Sequence, residues 1–274
     1  MTQPMLMLND GRKMPQLGLG VWQMPAEGTA EAIATALRIG YRLIDGAAMY
    51  GNEAGMGQAV RDGDVPRDEV FVTSKLWNDQ HGRDRTLRAF DATMQRIGLD
   101  WLDLFLIHWP APQQDLYVET WKTLIELRDQ GRIKSVGVAN FQEPHLHRLI
   151  DETGVAPAVN QIELHPSFNQ PAMRAVNRRL GIVTQSWAPL GRTADFDAAP
   201  VAQAAVRHGT SPAQVIIAWH LARGLSAIPK SQDSGRLQQN FDALKLRLTD
   251  AELDEIDALD SDARTGPDPD VFSG

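Results

Sequence analysis

The sequence predicts an α/β fold, a (β/α)8 TIM barrel that forms a single domain with an N-terminal β-hairpin. Eight strand-like apolar runs alternate with helical patterns along the chain, which indicates a parallel sheet covered by helices. The runs are apolar without alternation, as expected for strands buried on both faces. The chain has 274 residues, close to the roughly 250 that such a barrel needs. No Pro/Gly/Ser-rich linker divides it, so we predict one domain over residues 1–274.

The predicted elements follow one another in a regular order. A hairpin is expected over residues 5–16, because Asn9, Asp10 and Gly11 suit a tight turn. The strand-like runs cover residues 17–20, 43–45, 70–75, 104–108, 135–140, 159–161, 183–187 and 227–230. Helical patterns fit residues 29–39, 53–62, 84–97, 117–130, 144–153, 171–180, 199–208, 212–223, 235–244 and 250–259. Capping boxes mark the starts near 211 and 249, and the tail over 261–274 is predicted to be a loop.

Composition narrows the classes of function. The formal net charge of −8 argues against nucleic acid or an anionic membrane as the main partner. The chain has no cysteine, so disulfides, thiol nucleophiles and thiolate metal sites are excluded. No apolar run approaches the roughly 18 residues of a membrane span, and the start lacks the pattern of a signal peptide. We therefore expect a cytoplasmic protein. His145 and His147 lie two apart on a helix and cannot share a metal, so no metal site is predicted.

Polar or aromatic residues end most of the strand-like runs. In a parallel barrel the carboxyl ends of the strands meet at one rim, which is where barrel enzymes carry out their chemistry. The sequence therefore predicts an active site at this rim. The residues that end these runs are Asp45, Lys75, His108, Asn140, Gln161, Trp187 and Lys230.

Lys75 is open to three interpretations when it is taken alone. It could be a surface lysine at a strand end. A desolvated lysine could instead form a Schiff base, as in barrel aldolases. Alternatively, its charge could lower the pKa of a neighbouring acid.

The neighbours of Lys75 favour the last interpretation. Tyr50 follows Asp45 by five residues and can reach the rim, while Asp45 can keep Lys75 protonated. A cation beside a phenol favours phenolate and eases proton donation. His108 could hydrogen-bond the same oxygen that Tyr50 protonates, which suits reduction of a carbonyl group. Taken singly, Asp45 could simply neutralise Arg42 or a helix start, and His108 could be a buried core histidine with its hydrogen bonds satisfied. A glycosidase pair of Asp45 and Glu163 is strongly disfavoured, since it leaves Lys75 and Tyr50 without roles.

Five segments carry a resemblance to a known family: residues 40–53, 75–78, 108–110, 160–166 and 229–231. They resemble the aldo-keto reductases over nearly the whole chain, and among these the bacterial 2,5-diketo-D-gluconate reductases. The resemblance implies a (β/α)8 barrel that binds NADPH across the rim without a Rossmann fold. It also implies that Tyr50 is the general acid, that Asp45 and Lys75 tune it, and that His108 orients the carbonyl group.

The resemblance further implies where the cofactor binds. Asn140 and Gln161 would hold the nicotinamide carboxamide, and Trp187 would stack on the ring. The remaining implied contacts are Leu190, Gly191, Lys230, Ser231 and Arg236, the last three at the 2′-phosphate, with Gln239 and Asn240 near the adenine. Independently of the family, two cations, a hydroxyl group and a helix start make a plausible anion site around Lys230, although they could also be a solvated helix end.

Three positions depart from the family pattern. Gly46 replaces a usual Thr, and we expect it to loosen the loop that carries Tyr50. Ala139 replaces a Ser and removes one hydroxyl group from the carboxamide site. Asp233 stands where relatives often have a basic residue, so some use of NADH is expected.

The sequence thus predicts an NADPH-dependent carbonyl reductase. We expect it to act on small polar aldehydes, α-keto aldehydes or keto-sugar acids such as 2,5-diketo-D-gluconate, and to work as a monomer. Trp22, Trp77 and Trp109 are predicted to line the substrate pocket with His108, and Phe272 is a weaker candidate. The alternatives are a Schiff-base aldolase that uses Lys75 and a non-catalytic NADPH-binding member of the fold.

Overall fold

The N-terminal hairpin closes one end of the molecule. The computed structural model describes residues 3–274. Strands β1 (Met5–Met7) and β2 (Lys13–Pro15) pair antiparallel, which confirms the predicted hairpin. The hairpin is tied to the start of a barrel strand, because Asp10 accepts a hydrogen bond from Ser135 at 2.6 Å. Met14 is buried inside the barrel. The hairpin therefore covers the amino-terminal end of the barrel, opposite the predicted active site.

Eight parallel strands form the barrel in chain order. Leu17 pairs with Ala227 and the Gly18 amide donates to the Ala227 carbonyl at 2.9 Å, so the first and last strands meet. Closure confirms the predicted barrel. The strands are β3 (Leu19–Gly20), β4 (Leu43–Asp45), β5 (Phe71–Leu76), β6 (Leu102–Ile107), β7 (Ile133–Ala139), β8 (Val159–Glu163), β9 (Val183–Trp187) and β10 (Ser226–Ala227).

Helices surround the strands at the places that the sequence predicts, with boundaries that differ by three residues or fewer. They are α1 (Ala26–Ile39), α2 (Glu53–Asp62), α3 (Arg83–Ile97), α4 (Tyr117–Asp129), α5 (Glu143–Thr153), α6 (Pro171–Arg179), α7 (Ala199–Arg207), α8 (Pro212–Ala222), α9 (Ser234–Asp242) and α10 (Asp250–Asp257). Both predicted capping boxes are present, one formed by Ser211 with Gln214 and the other by Thr249 with Glu252. Within residues 3–274, no helix is long and apolar enough to cross a membrane.

The apolar core has two parts. The larger part fills the space between strands and helices and includes Phe90, Phe105 and Trp219. The smaller part lies inside the barrel and includes Leu43 and Leu104. The interior is therefore apolar at the hairpin end, and the polar strand ends gather at the opposite rim. The tail over 261–274 contains no helix or strand, as predicted.

Candidate active site

Lys75 is the centre of the predicted catalytic group. Its side chain has no exposed surface. The ammonium Nζ lies 2.6 Å from Asp45 Oδ2, 3.0 Å from the Gly46 carbonyl oxygen and 3.3 Å from the Tyr50 hydroxyl. These three oxygens match the three N–H groups of an ammonium ion. We call Asp45, Tyr50, Lys75 and the nearby His108 the rim quartet.

Burial and charge set the protonation states of Lys75 and Tyr50. Burial lowers the pKa of Lys75, but Asp45 and Tyr50 together raise it by more, so the group remains an ammonium ion. Burial raises the pKa of Tyr50, and this outweighs the opposing effect of Lys75. The expected lowering of the Tyr50 pKa is thus wrong for the net shift, because desolvation of the phenolate costs more than the cation returns. Tyr50 is a protonated phenol at neutral pH.

His108 follows β6 and faces the cavity beside Tyr50. The two ring centroids are 5.8 Å apart. Burial, and then the charge of Lys75, lower the pKa of His108 well below its usual value. The ring is therefore a neutral imidazole, which carries one N–H donor. Such a donor can bond a carbonyl oxygen without bringing a further positive charge into the site.

A cavity of about 460 Å³ opens above the rim quartet. Three members of the quartet line it, while Lys75 lies behind them. The predicted substrate-pocket residues also line it, with Trp109 buried and Trp22 43% exposed. The residues that the sequence predicted and that line the cavity are Trp22, Asp45, Tyr50, Trp77, His108, Trp109, Asn140, Gln161, Trp187, Leu190, Lys230 and Phe272.

The predicted carboxamide residues are held by neighbours in the barrel. Trp187 Nε1 donates to Asn140 Oδ1 at 2.8 Å, and Asn140 Nδ2 donates to the His108 carbonyl at 2.9 Å. Gln161 Nε2 donates to Asp45 Oδ1 at 2.8 Å. Within residues 3–274, Gln161 Oε1 accepts no hydrogen bond, although this side chain lines the cavity. A primary amide such as the nicotinamide carboxamide would supply the missing donor, so the residues fit that group.

The predicted phosphate residues gather at the start of α9. Lys230 lines the cavity, and its side chain is exposed. Arg236, in the first turn of the helix, is also exposed. Asp233 caps α9, since its carboxylate accepts from the Arg236 backbone N–H at 2.8 Å. Asp233 therefore has a structural role, because it gives a hydrogen-bond acceptor to a backbone N–H group at the helix start. Five of the predicted cofactor residues do not line the cavity. Four of them lie along α9 or just before it, namely Ser231, Arg236, Gln239 and Asn240. Gly191 lies beside Leu190 in the loop after β9.

The C-terminal loop forms part of the cavity wall, as the candidate Phe272 indicated, although Gly266 was not predicted. Phe272 lies 4.6 Å from Trp109 and 6.3 Å from Trp77, measured between ring centroids. Gly266 packs so closely that an added Cβ would lie 2.5 Å from Trp187 Cη2. The weak expectation for Phe272 thus turns out to describe a wall residue. Gly266 carries no recognisable sequence signal.

Glu163 anchors this loop. Its carboxylate accepts from the backbone N–H groups of Thr265 at 2.7 Å and Gly266 at 2.9 Å. His165 lies between Glu163, at 3.3 Å, and Asp195, at 3.5 Å, where Asp195 belongs to the loop after β9. Although burial opposes it, hydrogen bonds from His165, Thr265 and Gly266 lower the pKa of Glu163 to about 2. The buried cluster joins two loops of the cavity wall, and Glu163 makes no pair with Asp45.

Comparison with known proteins agrees with this geometry. The model of the aldo/keto reductase family matches residues 14–261. An aldo-keto reductase of Mycolicibacterium smegmatis is 49% identical over 270 residues, 98% of each chain. The methylglyoxal reductase DkgA of Escherichia coli is 51% identical over 269 residues, 97% of each chain.

Solved structures share the fold over almost the whole chain. A variant of the protein Gox0644 in complex with NADPH has a TM-score of 0.95, is 45% identical and is covered to 99%, as is this chain. The Bombyx mori aldo-keto reductase in complex with NADP has a TM-score of 0.92 at 32% identity, covering 98% of this chain and 97% of its own. With a buried Asp–Lys pair beside a half-buried Tyr at the carboxyl rim of a closed eight-stranded barrel, the chain belongs to the aldo/keto reductase family.

Proposed function

We propose that this protein is an NADPH-dependent carbonyl reductase that acts on small polar aldehydes and α-keto aldehydes, with keto-sugar acids as a further class. The observation that carries the proposal is the contact of a buried, charged Lys75 with the hydroxyl group of Tyr50, beside a neutral His108. About half of the residues are identical to those of a methylglyoxal reductase, which favours α-keto aldehydes within this class.

NADPH supplies the hydride for the carbonyl carbon when it is bound. Asn140 and Gln161 would hold its carboxamide, and Trp187 would face the ring. Lys230 and Arg236 would contact the 2′-phosphate, since both are exposed cations near the start of α9. Leu190 and Gly191, on the loop after β9, would cover the cofactor. Gln239 and Asn240 would lie near the adenine.

Tyr50 would donate the proton to the carbonyl oxygen. Loss of that proton leaves a phenolate whose oxygen lies 3.3 Å from the Lys75 ammonium ion. The cation therefore stabilises the product state of the proton transfer even though burial raises the starting pKa. His108 would donate an N–H bond to the same oxygen, where negative charge develops. Asp45 would hold Lys75 charged and in place.

The aldolase alternative conflicts with the state of Lys75. A Schiff-base lysine must lose its proton to attack a carbonyl carbon, whereas Asp45 and Tyr50 raise the pKa of this group. Its Nζ is also fully buried and lies near three oxygens. The non-catalytic alternative leaves the intact rim quartet without a purpose, and turnover tests it directly.

The test is NADPH oxidation at saturating methylglyoxal and at saturating 2,5-diketo-D-gluconate, for the wild type beside Tyr50→Phe. We expect turnover by the wild type and a loss of about 10² or more in kcat for the variant, as for removal of a general acid. NADP⁺ binding, followed by tryptophan fluorescence, should be unchanged and serves as the control. Binding without turnover would favour the non-catalytic alternative, and no binding would contradict the cofactor assignment.

One copy of the chain carries every residue involved, so sedimentation should show an active monomer.

A further inference from the structure

A chain of buried polar side chains crosses the barrel interior below the cavity. Asp45 Oδ1 accepts from Gln161 Nε2 at 2.8 Å, and the same Nε2 donates to Gln185 Oε1 at 2.6 Å. Gln185 Nε2 in turn donates to Ser226 Oγ at 3.0 Å. The four residues lie on β4, β8, β9 and β10, and none is more than 2% exposed. The chain therefore links the rim quartet to the far side of the barrel.

This arrangement determines which way the Gln161 amide faces. A primary amide nitrogen carries two hydrogens, and here each has its own acceptor, one on Asp45 and one on Gln185. Rotation of the amide by 180° would place its oxygen against two other oxygens. Gln161 Oε1 therefore faces away from both, and Gln161 lines the cavity.

Gln185 is itself oriented from behind. Its Nε2 donates to the Ser226 hydroxyl and lies 3.9 Å from the sulfur of Met14, a weak acceptor. Its Oε1 points toward Gln161 and accepts from Gln161 Nε2. Gln185 does not line the cavity, so it can act on a bound molecule only through Gln161.

We propose that Gln185 is a positioning residue that fixes the Gln161 amide with its oxygen toward the cavity. The site thereby selects pyridine cofactors that carry an N–H donor at the carboxamide position. This inference rests on the proposed function, because the cofactor is NADPH in both. Removal of the Gln185 oxygen would leave one buried N–H of Gln161 without an acceptor. Gln161 would then turn toward other partners and present its oxygen less reliably.

The experiment compares the binding of NADP⁺ with that of its 3-acetylpyridine analogue, in which a methyl ketone replaces the carboxamide and the N–H donor is absent. Dissociation constants are measured by quenching of tryptophan fluorescence. The wild type should prefer NADP⁺ about tenfold, and Gln185→Met, similar in volume but without the acceptor, should reduce that preference about fivefold. Gln161→Ala should abolish the preference and calibrates the largest effect.

Ser186→Ala is the matched control. Ser186 is the next residue on β9, is equally buried and bonds His220 rather than Gln161, so the preference should remain that of the wild type. Ser226→Ala removes the acceptor behind Gln185 and should weaken the preference in the same direction by a smaller factor. Ser226→Ala therefore tests the same inference if Gln185→Met folds poorly. The ratio of the two dissociation constants does not depend on the fraction of protein that is folded.

An unchanged preference in both Gln185→Met and Ser226→Ala would overturn the inference. So would a wild type that binds the two cofactors equally well. Failure of the wild type to bind either cofactor would instead contradict the proposed function. The two failures are therefore distinguishable.

Discussion

Two lysines at the rim differ in almost every physical respect. Lys75, in β5, is fully buried and contacts Asp45 and Tyr50. Lys230, just beyond β10, is exposed, and its neighbour Arg236 has a side chain that is 75% exposed. The same kind of side chain therefore occupies a low-dielectric interior on one side of the cavity and solvent on the other.

This difference in burial suits the two sides of the cavity to different roles. We call the side around Lys75 the buried half and the side around Lys230 and Arg236 the exposed half. A charge acts strongly on a neighbour when water is excluded, whereas salt screens an exposed charge within about 10 Å. The buried half can stabilise charge that develops during a reaction. The exposed half can attract a phosphate group and release it again, since binding requires little desolvation.

The largest expected effect is that of Lys75→Met. The variant leaves Asp45 buried without its partner, so the free energy of unfolding should fall by about 3–5 kcal/mol. Turnover should also fall by about 10² or more, because in the proposed mechanism the phenolate formed at Tyr50 loses its cation. Urea unfolding and NADPH oxidation measure the two effects. The matched variant Lys230→Met should unfold like the wild type, and equal destabilisation in both variants would contradict the comparison.

Arg236→Ala probes the exposed half. The KM for NADPH should rise about tenfold, the size of one charge-assisted hydrogen bond, with kcat unchanged. The KM for NADH, which has no 2′-phosphate, is the control and should stay constant. Raising the salt concentration should reproduce part of the effect in the wild type. A rise in both KM values would show that Arg236 acts on something other than the phosphate.

Gly266→Ala tests whether the C-terminal loop supports Trp187. The added Cβ would lie 2.5 Å from the indole and 2.9 Å from the Glu163 carboxylate, so the loop or the ring must shift. We expect the dissociation constant of NADP⁺, measured by fluorescence, to rise about threefold to tenfold, an overpacking effect of the order seen in tight cores. Ser261→Ala, in the same loop, should bind NADP⁺ like the wild type. Wild-type binding by Gly266→Ala would separate the loop from the cofactor site.

Asp233→Asn should have a smaller effect. Asn also caps helices well, so α9 keeps its start while one negative charge near the proposed phosphate site is removed. The preference for NADPH over NADH, taken as a ratio of kcat/KM, should rise about twofold to threefold, as expected for one exposed charge. Asp242→Asn, at the other end of α9, is the control. A fall in the preference would show that Asp233 assists NADPH binding.

The pH profile should show the least change. In the proposed mechanism the proton comes from Tyr50, and burial raises the pKa of Tyr50, so deprotonation and the loss of kcat should shift to higher pH. We expect a constant kcat between pH 6 and 9 and a fall only above the ordinary phenol pKa of about 10. His108 adds no limb near pH 6.5, because its pKa is lowered well below that value. A fall in kcat below pH 9 would indicate that Lys75 outweighs burial after all.

Much of the fold could be predicted from local patterns. Strands buried on both faces, capping boxes and the hairpin turn depend on neighbours in sequence, and each formed where it was expected. The polar side chains at the strand ends, such as Asp45 in β4 and His108 directly after β6, follow from the same local rule. Topology alone then brings them together at the rim.

Contacts between distant segments could not be read in this way. Glu163 meets Thr265 and Gly266 about one hundred residues later in the chain, and no pattern announces that pairing. Gln185 reads as an ordinary residue of a buried strand until Gln161 and Ser226 are placed on either side of it. The direction of the Tyr50 pKa shift also depended on a balance of burial against charge that only packed coordinates reveal.

By itself, therefore, the sequence determined the barrel, its helices and the identity of the groups at the rim, because periodicity, caps and strand ends are local properties. The tertiary structure decided which of those groups touch, how dry they are and which loop covers them. Those properties depend on distances across the barrel, and it is they that make Lys75 a buried cation and Lys230 a solvated one.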